Sequence, residues 1–378
     1  MKKYIRILAL VLCAVMMLAI FVSCADKNKD GAQNDDGKKP ELFDYENEDL
    51  SPYINLATYK GRTLEIDKIE ISDADVESRI KSLLEENNVY TKITDRAAEQ
   101  GDLVFVDYTG YMDGEKFSGG EAKNVMIQLA ENGKYIKGFT SGIIGHTPGE
   151  EFSVEVTFPE DYGYAAYAGK QAEFVFNFHY IVKYELTDEF ASTYSNGECT
   201  SADGFSDYIY KELYKPKYDD AVYNAIWNAV YNESSVISYP QSSLDYYMDI
   251  LNKECQGIAK QLGMSFDDAL KYLGMTMDTL TEYAQNQIKK DLIIYHISKT
   301  ENRIPSDADI DSFVVYFVQK NFSYFEEEMI SLGYSKTDIN EESVLAYVKE
   351  KYMANIRSEC LLVKFSTFLT TNNTFVEK

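Results

Sequence analysis

The chain has 378 residues, of which 45% are hydrophobic and 26% are charged, and its formal net charge is −25 at pH 7. A chain of this length can fold into two or more domains with separate cores. The large negative charge argues against a nucleic-acid partner, because phosphates repel an acidic surface. It also argues against binding to anionic lipid through a basic face.

Residues 1–23 have the parts of a lipoprotein signal peptide. Lys2, Lys3 and Arg6 precede an apolar run, and small residues follow that run. The run is shorter than the ~20 apolar residues that a spanning helix needs, although a retained signal anchor is the alternative. The sequence FVSC resembles a bacterial lipoprotein box, so we expect Cys24 to become the first mature residue and to carry lipid.

Residues 24–44 are predicted to form a disordered tether. They have very few large apolar side chains and cannot bury enough surface to stay ordered. With lipid at Cys24, this tether would hold the folded body at the extracytoplasmic face of the cell membrane. The other mature cysteines are Cys199, Cys255 and Cys360, which lack metal-binding spacing and are expected to be unpaired, with a disulfide between two of them left open.

The folded body is predicted to begin with a strand and a helix, in segment 45–97. Residues 63–71 alternate apolar and polar side chains, as strands do. Ser72 and Asp75 then have the spacing of a helix capping box. The helix carries an apolar stripe that needs a partner, which we expect to be the helices after residue 188; the stripe comprises Val76, Ile80, Leu83 and Leu84.

Short strands separated by turns dominate residues 98–187. LVFVDYTGYM, VMIQL, EEFSVEVTF and AEFVFNFHYIVKY are rich in the residues that strands favour. Asp113-Gly114 marks a hairpin turn, and IKGFTSGIIG indicates a short helix. This pattern predicts an α+β domain, in which a curved antiparallel sheet wraps around one short helix.

Residues 98–190 resemble an FKBP-type peptidyl-prolyl cis-trans isomerase domain, above all that of trigger factors. The motifs are GDLVFVDYTGYMDGEKFSGG, YIKGFTSGIIGHTPGEEFSVEVTFPEDYG and AGKQAEFVFNFHYIVKYEL. The resemblance implies an enzyme that rotates X-Pro bonds without a cofactor or metal. This rotation has a barrier of ~18–20 kcal/mol but breaks no covalent bond, so aromatic groups that bind the twisted amide suffice.

The resemblance implies an apolar pocket formed by seven residues: Tyr108, Phe117, Tyr135, Ile136, Phe139, Tyr164 and Phe176. Phe139 is expected to form the floor, and the Tyr164 hydroxyl to donate a hydrogen bond to the substrate carbonyl. Ordinary core packing is the alternative for each aromatic residue taken singly. Ser118 stands where many FKBPs have an acid, so a fold that holds clients without catalysis is the alternative function.

Residues 188–378 are predicted to be mostly helical and resemble the chaperone arms of trigger factor. The resemblance implies that they join segment 45–97 in an all-α chaperone domain, into which the isomerase domain is inserted. No segment resembles a ribosome-docking signature, so we expect no ribosome partner. The expected partners are unfolded or newly exported proline-containing polypeptides; a structural lipoprotein that binds a partner is a third, weaker alternative.

Overall fold

The computed structural model describes residues 41–130 and 134–378. The predicted signal peptide, Cys24 and most of the predicted tether lie outside these residues. The strands in chain order are β1 (Ile54–Asn55), β2 (Thr63–Ile66), β3 (Tyr90–Ile93), β4 (Leu103–Met112), β5 (Glu115–Gln128), β6 (Glu151–Thr157), β7 (Gln171–Tyr184), β8 (Ser235–Val236) and β9 (Thr374–Glu377). The α-helices are α1 (Asp73–Glu86), α2 (Asp188–Tyr194), α3 (Ala202–Glu233), α4 (Gln241–Leu262), α5 (Phe266–Leu273), α6 (Met277–Thr300), α7 (Asp307–Lys320), α8 (Phe322–Ser331), α9 (Glu341–Lys351) and α10 (Met353–Thr371).

The chain forms two compact units, whose bounds differ from those of the predicted domains. Among the described residues, the first unit comprises 41–68 and 218–378 and is therefore discontinuous in sequence; the second is 69–217. The sequence instead predicts domain boundaries between residues 97 and 98 and between residues 187 and 188. They differ because α1, β3, α2 and the first half of α3 all pack within the second unit.

An antiparallel sheet of five strands forms most of the second unit. Its order is β3-β7-β4-β5, and β6 pairs with the edge of β7 that faces away from β4. β7 is long enough to pair with β6 through its first half and with β3 through its last residues. Asp113 and Gly114 join β4 to β5 with φ of 51° and 82°, the positive values that a tight hairpin turn requires. The predicted α+β class is confirmed, but the predicted short helix is only one 3-10 turn, Ser141–Ile143.

Helix α1 packs inside the second unit. Its capping box is confirmed, since the Ser72 hydroxyl accepts from the Asp75 N–H at 3.2 Å and the Asp75 carboxylate accepts from the Ser72 N–H at 2.9 Å. Val76 and Leu83 are buried against a group from α2, α3 and the connection between them: Ala191, Cys199, Phe205 and Ile209. The stripe therefore has its predicted partner after residue 188, and that partner lies in the second unit.

The sequence predicts an all-α chaperone domain. The first unit is mostly helical, but it also contains two small sheets. β1 pairs antiparallel with β8, and β2 pairs parallel with β9 at the other end of the chain. The strand predicted over 63–71 ends at Ile66, where pairing with β9 stops. These two small sheets join the start of the described chain to the helical region.

The ordered body begins earlier than the predicted end of the tether at residue 44. Leu42 and Phe43 pack against the core of the first unit. The Phe43 ring centroid lies 5.2 Å from that of Tyr45 and 5.1 Å from that of Tyr53, both in edge contacts. Two adjacent large apolar side chains bury enough surface to order this segment.

A carboxylate is buried among the helices of the first unit. Asp291, on α6, is 7% exposed and accepts hydrogen bonds from the Tyr247 hydroxyl at 2.5 Å and from the Gln287 amide at 3.3 Å. Burial raises the pKa of Asp291 to about 7. Tyr45 shares this core, and its hydroxyl lies 2.7 Å from the Ser243 hydroxyl. Every polar group named here has a partner.

Candidate functional site: an aromatic pocket in the second unit

The floor of the candidate site is a set of buried rings on one face of the sheet. Strand register places Tyr108 of β4 and Phe152 of β6 on either side of Phe176 of β7. Phe176 is fully buried, and Phe139 is 3% exposed. The Phe139 ring centroid lies 5.0 Å from that of Phe176 and 4.8 Å from that of Phe174, in the edge-to-face geometry that aromatic pairs prefer.

Tyr108 and Tyr135 form the half-buried sides of this floor. The Tyr108 ring meets Phe139 edge-on at 5.1 Å, and the Tyr135 ring stacks on Phe139 at 4.9 Å with an interplanar angle of 3°. Ile136, beside Tyr135, is also half-buried against the same core. The Ile136 carbonyl accepts from the Phe139 N–H at 3.1 Å, which closes the turn that brings these three residues together.

The hydroxyls of Tyr108 and Tyr135 are the polar side-chain groups on this surface. Neither makes a hydrogen bond to another described residue. Burial raises the pKa of both phenols, and the neighbouring Tyr135 raises that of Tyr108 further. Both hydroxyls therefore stay protonated at neutral pH and are able to donate to a bound ligand.

Phe117 forms a second wall, next to the floor. Its ring contacts Phe174 at 5.8 Å, and Phe174 in turn contacts Phe139. The ring also lies directly on backbone, since a Cβ at Gly110 would be 2.6 Å from Phe117 Cε1 and one at Gly120 would be 2.8 Å from its Cζ. Real Cβ atoms do not approach so closely, so this wall depends on glycine at both positions.

Tyr164 lies apart from the other six predicted residues. It sits in the loop between β6 and β7, its side chain is 63% exposed, and its ring contacts Tyr167 at 5.1 Å. Tyr108, Tyr135, Ile136, Phe139 and Phe176 come together directly, and Phe117 joins them through Phe174. The predicted role of Tyr164 as a hydrogen-bond donor to substrate stays a prediction.

The described residues contain no group of three or more His, Cys, Asp or Glu side chains that could hold a metal ion. Cys199, Cys255 and Cys360 are buried and unpaired. Within residues 41–130 and 134–378, no helix combines the length and the hydropathy needed to cross a membrane.

Comparison with known proteins identifies the family. Residues 94–183 match the model of FKBP-type peptidyl-prolyl cis-trans isomerases. The trigger factor of Thermoanaerobacter sp. is 30% identical over 325 residues, which cover 83% of this chain and 73% of the relative. The chain belongs to the trigger factor family.

Other trigger factors match over similar spans. That of Acetivibrio thermocellus is 27% identical over 85% of this chain and 73% of its own length. That of Natranaerobius thermophilus is 35% identical over 70% of this chain and 60% of its own length. Among solved structures, a chain described as the trigger factor chaperone aligns with 81% of this chain and 70% of its own, at 18% identity and a TM-score of 0.41.

Sequence reasoning missed four aromatic residues of this pocket, one of which is Phe152, whose ring lies 5.5 Å from that of Phe176. Phe174 joins the floor to the Phe117 wall, Phe158 contacts Phe117 at 6.0 Å, and Tyr167 contacts it at 5.1 Å. The two-residue period of β7 could have revealed Phe174, because it places Phe174 on the same face as Phe176. The same period in EEFSVEVTF places Phe158 on the face of Phe152, Val154 and Val156, whereas Tyr167 lies in a loop, where no periodic signal exists.

Proposed function

We propose that the chain is an FKBP-type peptidyl-prolyl cis-trans isomerase that also holds unfolded clients. The observation that supports catalysis is the half-exposed aromatic surface formed by Tyr108, Tyr135 and Phe117 over the buried Phe139 and Phe176. It offers apolar contact area and two hydroxyl donors. Rotation about an X-Pro bond needs nothing more reactive than this.

The physical basis is preferential binding of the twisted amide. A planar amide is stabilised by resonance, which separates charge between nitrogen and oxygen. Twisting removes that separation, so the twisted form loses less hydration when it enters an apolar site. Binding it more tightly than the planar form lowers the barrier, because only such differential interactions accelerate a reaction. The Tyr108 and Tyr135 hydroxyls would orient the substrate carbonyl.

The helices α7 and α8 support the client-holding role. Together with the turn after α8, they carry a group of large apolar side chains that are at least 41% exposed: Val315, Tyr316, Tyr324, Ile330, Leu332 and Tyr334. Surfaces with several exposed apolar side chains often bind other polypeptides. We propose that they hold unfolded segments while X-Pro bonds rotate in the pocket.

The proposed place of action is the extracytoplasmic face of the cell membrane. Its support is the signal-like start of the chain and the FVSC sequence, with lipid proposed at Cys24. The clients would be newly exported proline-containing polypeptides, with neither nucleic acid nor ribosome as a partner.

This localisation predicts that cells fed a labelled fatty acid incorporate label into the protein, and that Cys24→Ser abolishes the labelling. Label persisting in Cys24→Ser would contradict the anchor.

A proline tetrapeptide assay tests the catalytic proposal. The full chain should accelerate cis-trans exchange at an apolar residue followed by proline; Phe117→Ala should lose most of the rate, and Tyr164→Phe should retain part of it. If the wild-type rate equals the uncatalysed rate while aggregation of an unfolded client is suppressed, the non-catalytic holding function is correct instead. If neither effect occurs, both functions are wrong.

A further inference from the structure

Tyr167 lies in the loop between β6 and β7 and leans on the Phe117 wall. The loop is closed at its base by two hydrogen bonds, from the Phe158 N–H to the Lys170 carbonyl at 2.9 Å and from the Gly169 N–H to the Pro159 carbonyl at 3.3 Å. Residues 160–166, between these bonds, are exposed, whereas Tyr167 is half-buried. Tyr167 is the loop residue whose ring contacts Phe117, while Tyr162 contacts Phe158 at 4.7 Å.

Two contacts of Tyr167 fix the same neighbour. Its hydroxyl donates a hydrogen bond at 2.9 Å to the carbonyl of Ser118, the residue that follows Phe117 in β5. Its ring meets the Phe117 ring at 5.1 Å with an interplanar angle of 63°. The hydrogen bond restrains the backbone of β5 at Phe117, and the ring contact restrains the side chain.

Backbone also restrains the Phe117 ring. The ring lies against Gly110 and Gly120, with no room for a Cβ at either position. Phe158 and Phe174 contact it at its edges, at 6.0 Å and 5.8 Å. Among these neighbours, Tyr167 is the one that contacts Phe117 with its ring and also bonds the β5 backbone through its hydroxyl, so its loss would release the loop from β5 at this point.

We infer that Tyr167 is a positioning residue, which holds Phe117 and the β6–β7 loop in place before substrate binds. This inference rests on the proposed isomerase function. A wall that is already ordered spares the substrate the entropic cost of ordering it, and this cost enters both the ground-state and the transition-state complex. Its loss therefore raises KM and leaves kcat nearly unchanged.

Tyr167→Phe keeps the ring and removes only the hydrogen bond. In the tetrapeptide assay with the full chain, KM should rise about 2- to 10-fold, the range set by one net hydrogen bond, with kcat within about twofold of wild type. Tyr167→Ala removes the ring as well and should raise KM further. The matched control is Tyr59→Phe in the first unit, whose hydroxyl donates to Glu301 at 2.6 Å; both kinetic constants should stay unchanged.

A merely structural role gives a different result. Partial unfolding reduces the amount of active protein, so it lowers the apparent kcat and leaves KM unchanged. That pattern in Tyr167→Phe, or a KM equal to that of wild type, would overturn the inference. An inactive wild type would instead overturn the proposed function.

Hydrogen exchange tests positioning without activity. Peptides that cover residues 115–120 and 158–170 should exchange faster in Tyr167→Phe than in wild type, while those from β6 should not change. Equal exchange in both segments would overturn the inference even if the wild type were catalytically inactive.

Discussion

Two buried tyrosines of the first unit and two half-buried tyrosines of the second unit differ in their hydrogen bonds. In the core of the first unit, the buried Tyr45 and Tyr247 hydroxyls have partners in Ser243 and Asp291. On the pocket of the second unit, Tyr108 and Tyr135 are half-buried and their hydroxyls have no described protein partner. A buried polar group needs an internal partner, whereas a half-exposed one can exchange water for a ligand. The comparison separates structural tyrosines from those available to a substrate.

The units also differ in what their interiors enclose. The second unit has an aromatic core of packed rings, from which Tyr108 and Tyr135 reach the surface. The first unit encloses the Asp291 carboxylate, whose pKa burial raises to about 7. We therefore expect the stability of the first unit to depend on pH and the chemistry of the second to depend on aromatic packing.

Phe176→Ala should have the largest effect on stability. Removing a fully buried phenylalanine costs about 3–5 kcal/mol, because it loses apolar burial and leaves a cavity. Amide exchange should then speed up throughout β4 and β7. The matched control is Phe365→Ala, an equally buried ring in the core of the first unit, which should loosen the helices instead. Equal loss of protection in both units for either variant would contradict the separation of the two cores.

The first unit should lose stability as pH rises from about 4 to 7. The folded state keeps a proton on Asp291 up to a pKa of about 7, whereas the unfolded chain loses it near the ordinary value of 3.8. Folding therefore binds a proton in this window, and the free energy of unfolding falls by about 1.4 kcal/mol per pH unit within it.

Asp291→Asn is the control for this titration. The amide keeps the size and cannot ionise, so the slope between pH 4 and 7 should be smaller in the variant, and the variant should be the more stable protein at pH 8. Denaturant unfolding at several pH values measures both the slope and the stability at pH 8. An equal slope in the two proteins would show that Asp291 is not the group responsible.

Gly120→Ala should lower kcat/KM by about tenfold, since forcing an extra methyl against a packed ring costs roughly 1–3 kcal/mol. The new Cβ would lie 2.8 Å from the Phe117 ring and displace the wall. Gly163→Ala is the control, because its Cβ would meet nothing within 4 Å. If both variants had the activity of the wild type, Phe117 would not be part of the catalytic pocket.

A change of pH should have the smallest effect, and the quantity measured is the rate of catalysed exchange. Burial raises the pKa of both Tyr108 and Tyr135 above the ordinary value of 10, so their hydroxyls remain donors across neutral pH. The rate constant for catalysed exchange should vary by less than about twofold between pH 7 and 9. A steep profile in this range would indicate that an ionising group takes part and would contradict a purely aromatic site.

Local signals in the sequence predicted much of the fold. The Ser72 cap forms a capping box, and the stretches predicted as strands became β4, β6 and β7. These features depend on residues a few positions apart. Pairing of β2 with β9 joins residues some 300 positions apart, and no local pattern encodes it.

For the same reason, some residues of the site could be placed from the sequence and others could not. Tyr108, Phe139 and Phe176 lie on strands or in a glycine turn that fixes their direction, and they come together. Tyr164 and Tyr167 lie in one loop, and sequence reasoning chose Tyr164. The Tyr167 contact depends on a hydrogen bond to a distant main-chain carbonyl, which side-chain chemistry along the loop does not reveal.

Exchange NMR on a proline tetrapeptide is the most direct test of the central claim, that this aromatic pocket catalyses X-Pro rotation. The full chain, at a small fraction of the peptide concentration, should produce cis-trans exchange cross-peaks absent from the peptide alone, and Phe117→Ala should weaken them strongly. Cross-peaks of equal strength with wild type and Phe117→Ala, or none with wild type, would contradict the account.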